Sequence, residues 1–288
     1  GKSQIYDIDI NKIKSKLDEG YIVVVTGFQG INNDGDITTL GRGGSDTSAV
    51  ALAVKLDATC EIYTDVDGIY SVDPRHYPDA KKLDEIEYEE MLELASLGAQ
   101  VMHSRSIELA QKYGIEIYVG RTLGKEKGTY IKEREQMRLE GKVITGLATS
   151  DDDISITVKD FEMDKVSKLF EEVADKGISV DMISQTAPIN NLVSVSFTIP
   201  KLDKNECKKI VDNYQIGNVL IDENITKFSL VGLGMRDTAG VASKVFKIFS
   251  ENNINIKLIT TSDIRITCAI DSKDKSVAIN KIAKEFDL

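Results

Sequence analysis

The sequence predicts an α/β domain followed by two smaller α+β units, and three observations lead to this prediction. First, short β-branched runs alternate with helical segments from residue 1 to about residue 135, which is typical of a largely parallel sheet. Second, the rest of the chain contains an internal repeat, in which Lys165 aligns with Val241 at an offset of 76 residues. Third, 288 residues with 41% apolar content are enough for two or three packed domains.

The first 135 residues are predicted to alternate between strands and helices. A short strand at 5–8 and a helix at 11–17 precede a buried parallel strand at 21–25. The further predicted elements are a helix at 47–56, a strand at 60–63, helices at 84–96 and 98–113, and a strand at 115–119. The charged helical stretch at 132–138 is interpreted as a linker. Ligands of such sheets bind at the carboxyl ends of strands, and both glycine-containing loops fall there.

Each copy of the internal repeat is predicted as strand, helix, strand, strand, helix. The first copy has these elements at 154–158, 164–175, 178–184, 192–198 and 204–213. The second copy has them at 228–233, 239–251, 254–260, 264–270 and 274–285. A further apolar strand is predicted at 143–147. The expected domains are therefore 1–135, 136–224 with the preceding strand, and 225–288.

Charge and cysteine usage exclude several classes of protein. The net charge of −11 argues against nucleic acid or an anionic membrane as a partner, because phosphate-rich surfaces require clustered Lys and Arg. The chain lacks both a signal peptide and an apolar run of about 18 residues, so export and membrane insertion are not supported. Three cysteines at long, unrelated spacings are typical of buried thiols in a reducing compartment. The expected location is the cytoplasm.

The segment 38–49 combines a flexible backbone with charged side chains. Its glycines Gly41, Gly43 and Gly44 allow backbone N–H groups to approach an anion, and an apolar helix follows whose N-terminus favours negative charge. Ser45 or Asp46 is expected to cap that helix. A plain glycine-rich turn is the alternative, but Arg42 among the glycines favours a binding site. Neither a Walker A loop nor a Rossmann fingerprint fits the spacing.

A second motif, Thr64 to Arg75, follows the strand at 60–63. A calcium-binding loop is the obvious rival, since two aspartates stand at ligand spacing, but Tyr70 occupies the position where such a loop needs glycine. The loop at 32–36 fails for the same reason, with Ile37 in that place. A simple β-turn at 66–69 accounts for the glycine and leaves Tyr70 and Arg75 unexplained.

These motifs resemble those of aspartokinases, in the amino acid kinase superfamily. The matching runs are Leu-Gly-Arg-Gly-Gly-Ser-Asp-Thr-Ser-Ala, Thr64 to Arg75, and Ala95 to His103. The repeats resemble paired ACT domains. The implied fold class is α/β, a partial amino acid kinase (carbamate-kinase-like) domain followed by two ferredoxin-like α+β ACT domains, one inserted within the other. The family's N-terminal Lys-Phe-Gly-Gly motif is not found, so the resemblance covers the C-terminal part of the kinase domain.

The resemblance implies a site for L-aspartate. Arg42, Ser45 and Asp46 take the catalytic and substrate-holding positions, and Phe28, Gly43 and Gly44 lie against the substrate. The chemistry agrees, because a guanidinium binds a carboxylate through two parallel hydrogen bonds and a carboxylate pairs with an α-ammonium.

The resemblance also implies ATP with Mg as the second substrate. The nucleotide contacts carried over are Thr64, Asp65, Tyr70, Arg75, Gln100 and Val101. Many aspartokinases have lysine where Gln100 stands, which removes a cation from this position. His103 is interpreted as a helix-start residue rather than as a base or a ligand.

For the ACT units the resemblance places an effector amino acid, lysine and/or threonine, against five residues. They are Ser179, Val180 and Asp181 in the first unit and Asn255 and Ile256 in the second. ACT units pair across two-fold axes, so a homodimer or homotetramer is expected.

The function that the resemblance implies is phosphorylation of the L-aspartate side-chain carboxylate, with feedback control in lysine, threonine and methionine biosynthesis. One alternative is a non-catalytic amino-acid sensor, either a regulatory subunit or a truncated product. Both substrate motifs weigh against a sensor, which has no use for them. Another is a related kinase acting on glutamate or a nucleotide, which the paired repeat disfavours.

Overall fold

The computed structural model describes residues 3–98, 101–133, 142–214, 218–236 and 238–288. The chain forms two compact units, the first comprising residues 1–74 and 78–146 and the second residues 75–77 and 147–288. Within the described ranges, no helix combines the length and the apolar content that a membrane crossing requires.

The first unit contains a four-stranded sheet covered by helices. Its elements are α1 (Asn11–Asp18), β1 (Gln29–Ile31), β2 (Ile37–Thr39), α2 (Gly44–Leu56), β3 (Cys60–Thr64), β4 (Glu85–Glu87), α3 (Tyr88–Ser96), α4 (Ser104–Tyr113), β5 (Ile117–Arg121) and β6 (Thr129–Lys132). The sheet order is β3-β5-β6-β4. Buried apolar side chains from α2, α3, α4 and β5, such as Val50, Met91, Ile107 and Ile117, form its core.

The described sheet of the first unit is mixed, with two parallel pairings, as expected of a largely parallel sheet, and one antiparallel pairing that was not predicted. β3 pairs with β5, and β4 with β6, in parallel, whereas β5 and β6 are antiparallel. Only residues 122–128 connect β5 to β6, and a parallel pair requires a crossover of a dozen or more residues.

Two predicted strands in the first unit are wrong. Residues 5–8 and 21–25 are not strands, and Ile22 is 94% exposed. A strand needs a neighbour for its backbone hydrogen bonds, and the described sheet ends at β3 and β4, so neither segment has one.

Other boundaries of helices and strands also differ from the predicted ones. Residues 85–87 form a strand before α3, and the helix predicted from residue 98 starts at Ser104. Most of the predicted linker, residues 134–138, lies outside the described residues.

The second unit contains two four-stranded sheets, one for each repeat. Its elements are β7 (Gly146–Ser150), β8 (Asp153–Glu162), α5 (Val166–Asp175), β9 (Ile183–Gln185), β10 (Leu192–Pro200), α6 (Lys204–Asn213), β11 (Val219–Asp222), β12 (Ile225–Val231), α7 (Val241–Glu251), β13 (Ile256–Thr261), β14 (Arg265–Asp271) and α8 (Lys275–Glu285). The first sheet has the order β11-β8-β10-β9, that of a ferredoxin-like unit. The predicted combination of an α/β domain with two ferredoxin-like units is confirmed.

The second sheet takes its outer strand from outside its own repeat. Its order is β13-β14-β12-β7, so β7 completes this sheet although the whole first repeat lies between β7 and β12 in sequence. This is the insertion of one unit within the other that the resemblance implies, while the domain boundaries stay a prediction. The strand β11 was not predicted, and β9 is shorter than the predicted 178–184.

Candidate substrate and nucleotide site

The glycine-rich segment starts α2 without any side-chain cap. Gly43 precedes the helix in the left-handed conformation with φ 70°, and no side chain accepts a hydrogen bond there, so the predicted capping by Ser45 or Asp46 is wrong. The N–H of Gly44 donates to Gly41 and that of Thr47 to Gly43. In the described structure the N–H groups of Ser45 and Asp46 therefore remain available at the positive end of the helix, which suits an anionic ligand.

A β-hairpin brings Phe28 to this helix start. β1 pairs with β2 in register from Gln29 with Thr39 to Ile31 with Ile37, and the N–H of Leu40 donates to the carbonyl of Phe28 at 2.9 Å. The N–H of Phe28 donates to Ser48 Oγ at 3.1 Å. Its ring lies so close to Gly44 that a Cβ there would be 2.9 Å from Phe28 Cδ2. Phe28, 46% exposed, thus lies beside the start of α2, as a substrate-facing residue would.

The start of α4 contacts the same glycine-rich loop. His103 is the N-cap of α4, and its Nδ1 accepts a hydrogen bond from the N–H of Arg105. A Cβ on Gly43 would be only 2.2 Å from His103 Cβ, so the two backbones need glycine here. Arg105 Nη1 donates to the carbonyl of Leu40 at 3.1 Å. The interpretation of His103 as a helix-start residue matches the structure, whereas Arg105 was missed because its contact spans 65 residues.

Asp46 and Arg42 differ in their surroundings. Burial raises the pKa of Asp46, against the hydrogen bond from Ser45 and the nearby His103, which lower it. Ser45 Oγ donates to Asp46 Oδ1 at 3.4 Å. Arg42 is exposed, so its guanidinium is accessible to a carboxylate from solvent. The helix start therefore combines an exposed cation, Arg42, and a half-buried carboxylate, Asp46, with backbone N–H groups that have no backbone partner in the described structure.

The second motif forms a loop that begins where β3 ends. Thr64 Oγ1 donates to Asp65 Oδ1 at 2.9 Å, and Asp65 is exposed. Tyr70 donates its hydroxyl to Asp67 at 3.2 Å, and Lys82 Nζ lies 3.2 Å from Asp67 Oδ2. Burial is the largest single influence on the pKa of Asp67 and raises it, but the hydrogen bonds from Lys82, Tyr70 and the backbone, together with the charge of Lys82, outweigh burial, so the pKa is lowered and Asp67 is ionised. Its carboxylate fixes the half-buried ring of Tyr70 through the hydroxyl.

The loop is anchored to β6 through Thr129, which is fully buried. Ile69 N–H donates to Thr129 Oγ1 at 2.8 Å, and that hydroxyl donates to the carbonyl of Leu83 at 2.6 Å. A Cβ on Gly68 would be 2.8 Å from Thr129 Oγ1, which accounts for the glycine. Lys82 and Thr129 were missed by sequence reasoning, because nothing near the motif marks residues 15 to 60 positions away as its partners.

The structure does not gather every predicted nucleotide contact. Arg75 is exposed and groups with the second unit, so its place in the site stays a prediction. Gln100 lies outside the described residues, and Val101 is half-buried in the turn before α4.

The predicted effector residues all lie in the second unit. Ser179, Asp181 and Asn255 are exposed, whereas Val180 and Ile256 are half-buried. Asp181 accepts a hydrogen bond from Lys227 on β12, so the first repeat contacts the second at this residue.

Among the described residues, no group of three or more His, Cys, Asp or Glu side chains is arranged to hold a metal ion.

Comparison with protein families finds two matches. The model of the amino acid kinase family matches residues 1–121, and an ACT domain model matches residues 228–286. An aspartokinase of Geobacillus stearothermophilus is 41% identical over the whole chain, which spans 71% of that protein's length. An aspartate kinase of Pseudomonas putida is 40% identical, with 72% of its length covered.

Solved structures give the same result. Clostridium acetobutylicum aspartate kinase matches 90% of this chain with a TM-score of 0.81 and 27% identity. E. coli aspartokinase III, solved in complex with aspartate and ADP, matches 96% with a TM-score of 0.79 and 28% identity. The same enzyme has been solved with lysine and aspartate. The chain spans 62% and 63% of the two structures, less than two thirds of their length.

Proposed function

We propose that this chain, which belongs to the aspartokinase family, carries the aspartate and nucleotide contacts of an enzyme that phosphorylates the side-chain carboxylate of L-aspartate with ATP. The observation that supports this best is the helix start at Gly44. Phe28, Ser45, Asp46 and the start of α4 converge there around N–H groups that lack backbone partners in the described structure.

The aspartate substrate carries two carboxylates and one ammonium, and the helix start offers a partner for each kind of charge. Arg42 binds one carboxylate in a forked geometry, and Asp46 pairs with the α-ammonium. Ser45 orients Asp46 through its hydroxyl. The aspartate in the E. coli complex supports the choice of substrate.

The loop of Thr64, Asp65 and Tyr70 is proposed to hold the nucleotide. Its hydroxyl and carboxylate suit the ribose hydroxyls, and the ring of Tyr70 offers a face for the base. The ADP in the E. coli complex supports a nucleotide ligand, with Mg²⁺ entering on its phosphates. Gln100, Val101 and Arg75 remain proposed contacts.

The phosphoryl transfer requires little from the protein beyond positioning of the substrates and neutralisation of charge. The acceptor carboxylate is already an anion at neutral pH, so no base has to remove a proton from it. Positioning of the two substrates and neutralisation of the phosphoryl charge then lower the barrier. Within the described residues, Arg42 and the N-terminus of α2 supply positive potential on the aspartate side.

The two ferredoxin-like units are proposed to bind a regulatory amino acid, lysine or threonine, and to join subunits into a dimer or tetramer. The lysine in the E. coli structure supports an amino-acid effector. Three buried, unpaired thiols suit the cytoplasm as the place of action. A non-catalytic sensor is not favoured, because full-chain relatives are aspartate kinases.

The direct test is an assay of the full-length protein with L-aspartate and MgATP, in which aspartyl phosphate is trapped by hydroxylamine. Formation of the hydroxamate from L-aspartate, and not from L-glutamate, is the expected result. Absence of product while calorimetry shows amino-acid binding would support the sensor instead.

The raised pKa of Asp46 leads to an expected pH dependence. Protonation removes the charge that holds the α-ammonium, so kcat/KM for L-aspartate falls as the pH is lowered through a pKa above the ordinary 3.8. Asp46→Asn is expected to raise KM about thirtyfold, equivalent to about 2 kcal/mol for a charge-assisted hydrogen bond. This acidic limb should be missing from the pH profile of Asp46→Asn. Persistence of an unchanged limb in that variant would contradict the role of Asp46.

Two substitutions at Tyr70 separate its ring from its hydroxyl. Tyr70→Ala is expected to weaken MgADP binding about tenfold, because a base stacked on an aromatic ring is worth about 1–3 kcal/mol. Tyr70→Phe keeps the ring and loses only the bond to Asp67, so affinity should stay within about threefold of the wild type. Calorimetric titration with MgADP measures both. Equal losses in the two variants would show that the hydroxyl matters rather than the ring.

A further inference from the structure

Lys227 on β12 forms a buried ion cluster with two aspartates of the first repeat. Its Nζ lies 2.8 Å from Asp153 Oδ2 and 2.8 Å from Asp181 Oδ2. The side chains of Lys227 and Asp153 are only 9% and 13% exposed, whereas that of Asp181 is 38% exposed. The cluster is therefore closed at Asp153 and open to solvent at Asp181.

Lys227 keeps its charge in this cluster. Burial is the largest single influence on the pKa of Lys227 and lowers it, but the hydrogen bonds and charges of Asp153 and Asp181 together outweigh burial, so the pKa is raised. One ammonium between two carboxylates leaves a net charge of minus one. A carboxylate accepts several hydrogen bonds, and Lys227 contacts one oxygen of Asp181, so this side chain can also receive an ammonium from solvent.

The residue after Asp181 is anchored in the second repeat as well. Met182, which is 1% exposed, packs in an apolar cluster with Ile225, Leu258 and Ala269. Its N–H donates to Thr198 Oγ1 at 3.0 Å, and its carbonyl accepts from the N–H of Thr198. The segment 181–182 is thus attached to its own repeat by the backbone and to the other repeat by its side chains.

The equivalent residue of the second repeat also contacts the other repeat. Lys257 corresponds to Asp181 in the repeat alignment, and its Nζ pairs with Asp222 on β11 of the first sheet and with Asp271. Opposite charges at equivalent positions therefore both link the two repeats. This agreement indicates that the links belong to the architecture of the unit.

We propose that Lys227 is a positioning residue for the regulatory site, holding the carboxylate of Asp181 in the orientation that receives the effector ammonium and coupling that site to the second repeat. The proposal rests on the proposed effector role of 179–181. Asp153 keeps Lys227 in place from the buried side, and the accessible side of Asp181 takes the ligand. An effector bound at Asp181 then acts directly on β12 through Lys227.

The test combines Lys227→Met with Asp153→Asn in the full chain. This pair removes one positive and one negative charge, so the net charge of the cluster is unchanged and only the hold on Asp181 is lost. We expect the Met182 amide to exchange hydrogen about tenfold faster, and affinity for L-lysine and L-threonine to fall about tenfold, as measured by hydrogen exchange and calorimetry. Lys227→Arg, which keeps a cation, should stay within about threefold of the wild type for both quantities.

Lys204→Met with Glu223→Gln is the matched control, because it removes another ion pair of the same unit. Both quantities should be unchanged in that control. Unchanged affinity and exchange in the Lys227 and Asp153 variant would overturn the proposal, and so would equal losses in Lys227→Arg.

A gain in L-lysine affinity alone would also overturn the proposal, because it would make Lys227 a competing charge. If the wild type binds neither amino acid, the proposed effector function fails. Exchange at Met182 then still decides whether Lys227 holds the segment.

Discussion

Arg42→Ala is expected to lower kcat/KM for L-aspartate at least about a hundredfold in the full-length protein. Truncating one partner of a hydrogen-bonded charge pair costs about 2–5 kcal/mol once the pair is desolvated, and about 3 kcal/mol corresponds to this loss. Arg42 stands beside the start of α2, so its loss removes the forked partner of a substrate carboxylate. The measurement is the rate of aspartyl phosphate formation at subsaturating L-aspartate.

Two further variants make this result specific. Arg42→Lys keeps the charge and loses the fork, so an intermediate loss of about tenfold is expected. Lys112→Ala removes an exposed cation from the last turn of α4 and should leave the rate unchanged. If Arg42→Ala and Lys112→Ala behave alike, Arg42 contributes only net charge and does not bind the substrate.

Local patterns in the sequence predict much of the fold and of the candidate site. The apolar run after Gly44 indicates α2, and the 76-residue offset indicates two equivalent units, because both depend on neighbours in the chain. These features are set by periodicity and backbone freedom, which a single sequence displays.

Long-range pairing accounts for what sequence reasoning missed. The run at 21–25 has the composition of a buried strand, but a strand also needs a neighbour, and the described sheet offers none. The cluster of Lys227 with Asp153 and Asp181 joins residues 46 or more positions apart, which charge patterning does not reveal.

The start of α2 shows a further limit of prediction from sequence. Ser45 and Asp46 have the chemistry of capping residues, yet the left-handed Gly43 is the N-cap and the helix begins at Gly44, so both side chains fall inside the first turn. Their polar groups are then available for a ligand. Their role at a substrate site stays a prediction, whereas their predicted role as helix caps is wrong.

Gly43→Ala is expected to destabilise the first unit by about 2–4 kcal/mol and to reduce kcat/KM for L-aspartate by about a hundredfold. A left-handed conformation costs alanine about 1 kcal/mol, and overpacking in a closed site costs about 1–3 kcal/mol more. The new Cβ would lie 2.2 Å from His103 Cβ, an atom that no side-chain rotation moves. Either the loop or the start of α4 must shift, and both carry the site.

Gly114→Ala is the matched control, because Gly114 has φ 65° and a Cβ there meets nothing within 4 Å. It should cost about 1 kcal/mol, so the difference between the two variants isolates the contact with His103. Calorimetric unfolding of the chain measures the stability of both.

The identity of the contact atom allows one more test. In the Gly43→Ala background, His103→Ala retains the clashing Cβ and should not restore stability, whereas His103→Gly removes it and should restore part of the loss. Rescue by His103→Ala would show that the imidazole ring, and not the close backbone approach, makes glycine necessary at position 43. The two helix starts would then be joined by side-chain packing, and the substrate loop would tolerate a larger residue whenever the ring is absent.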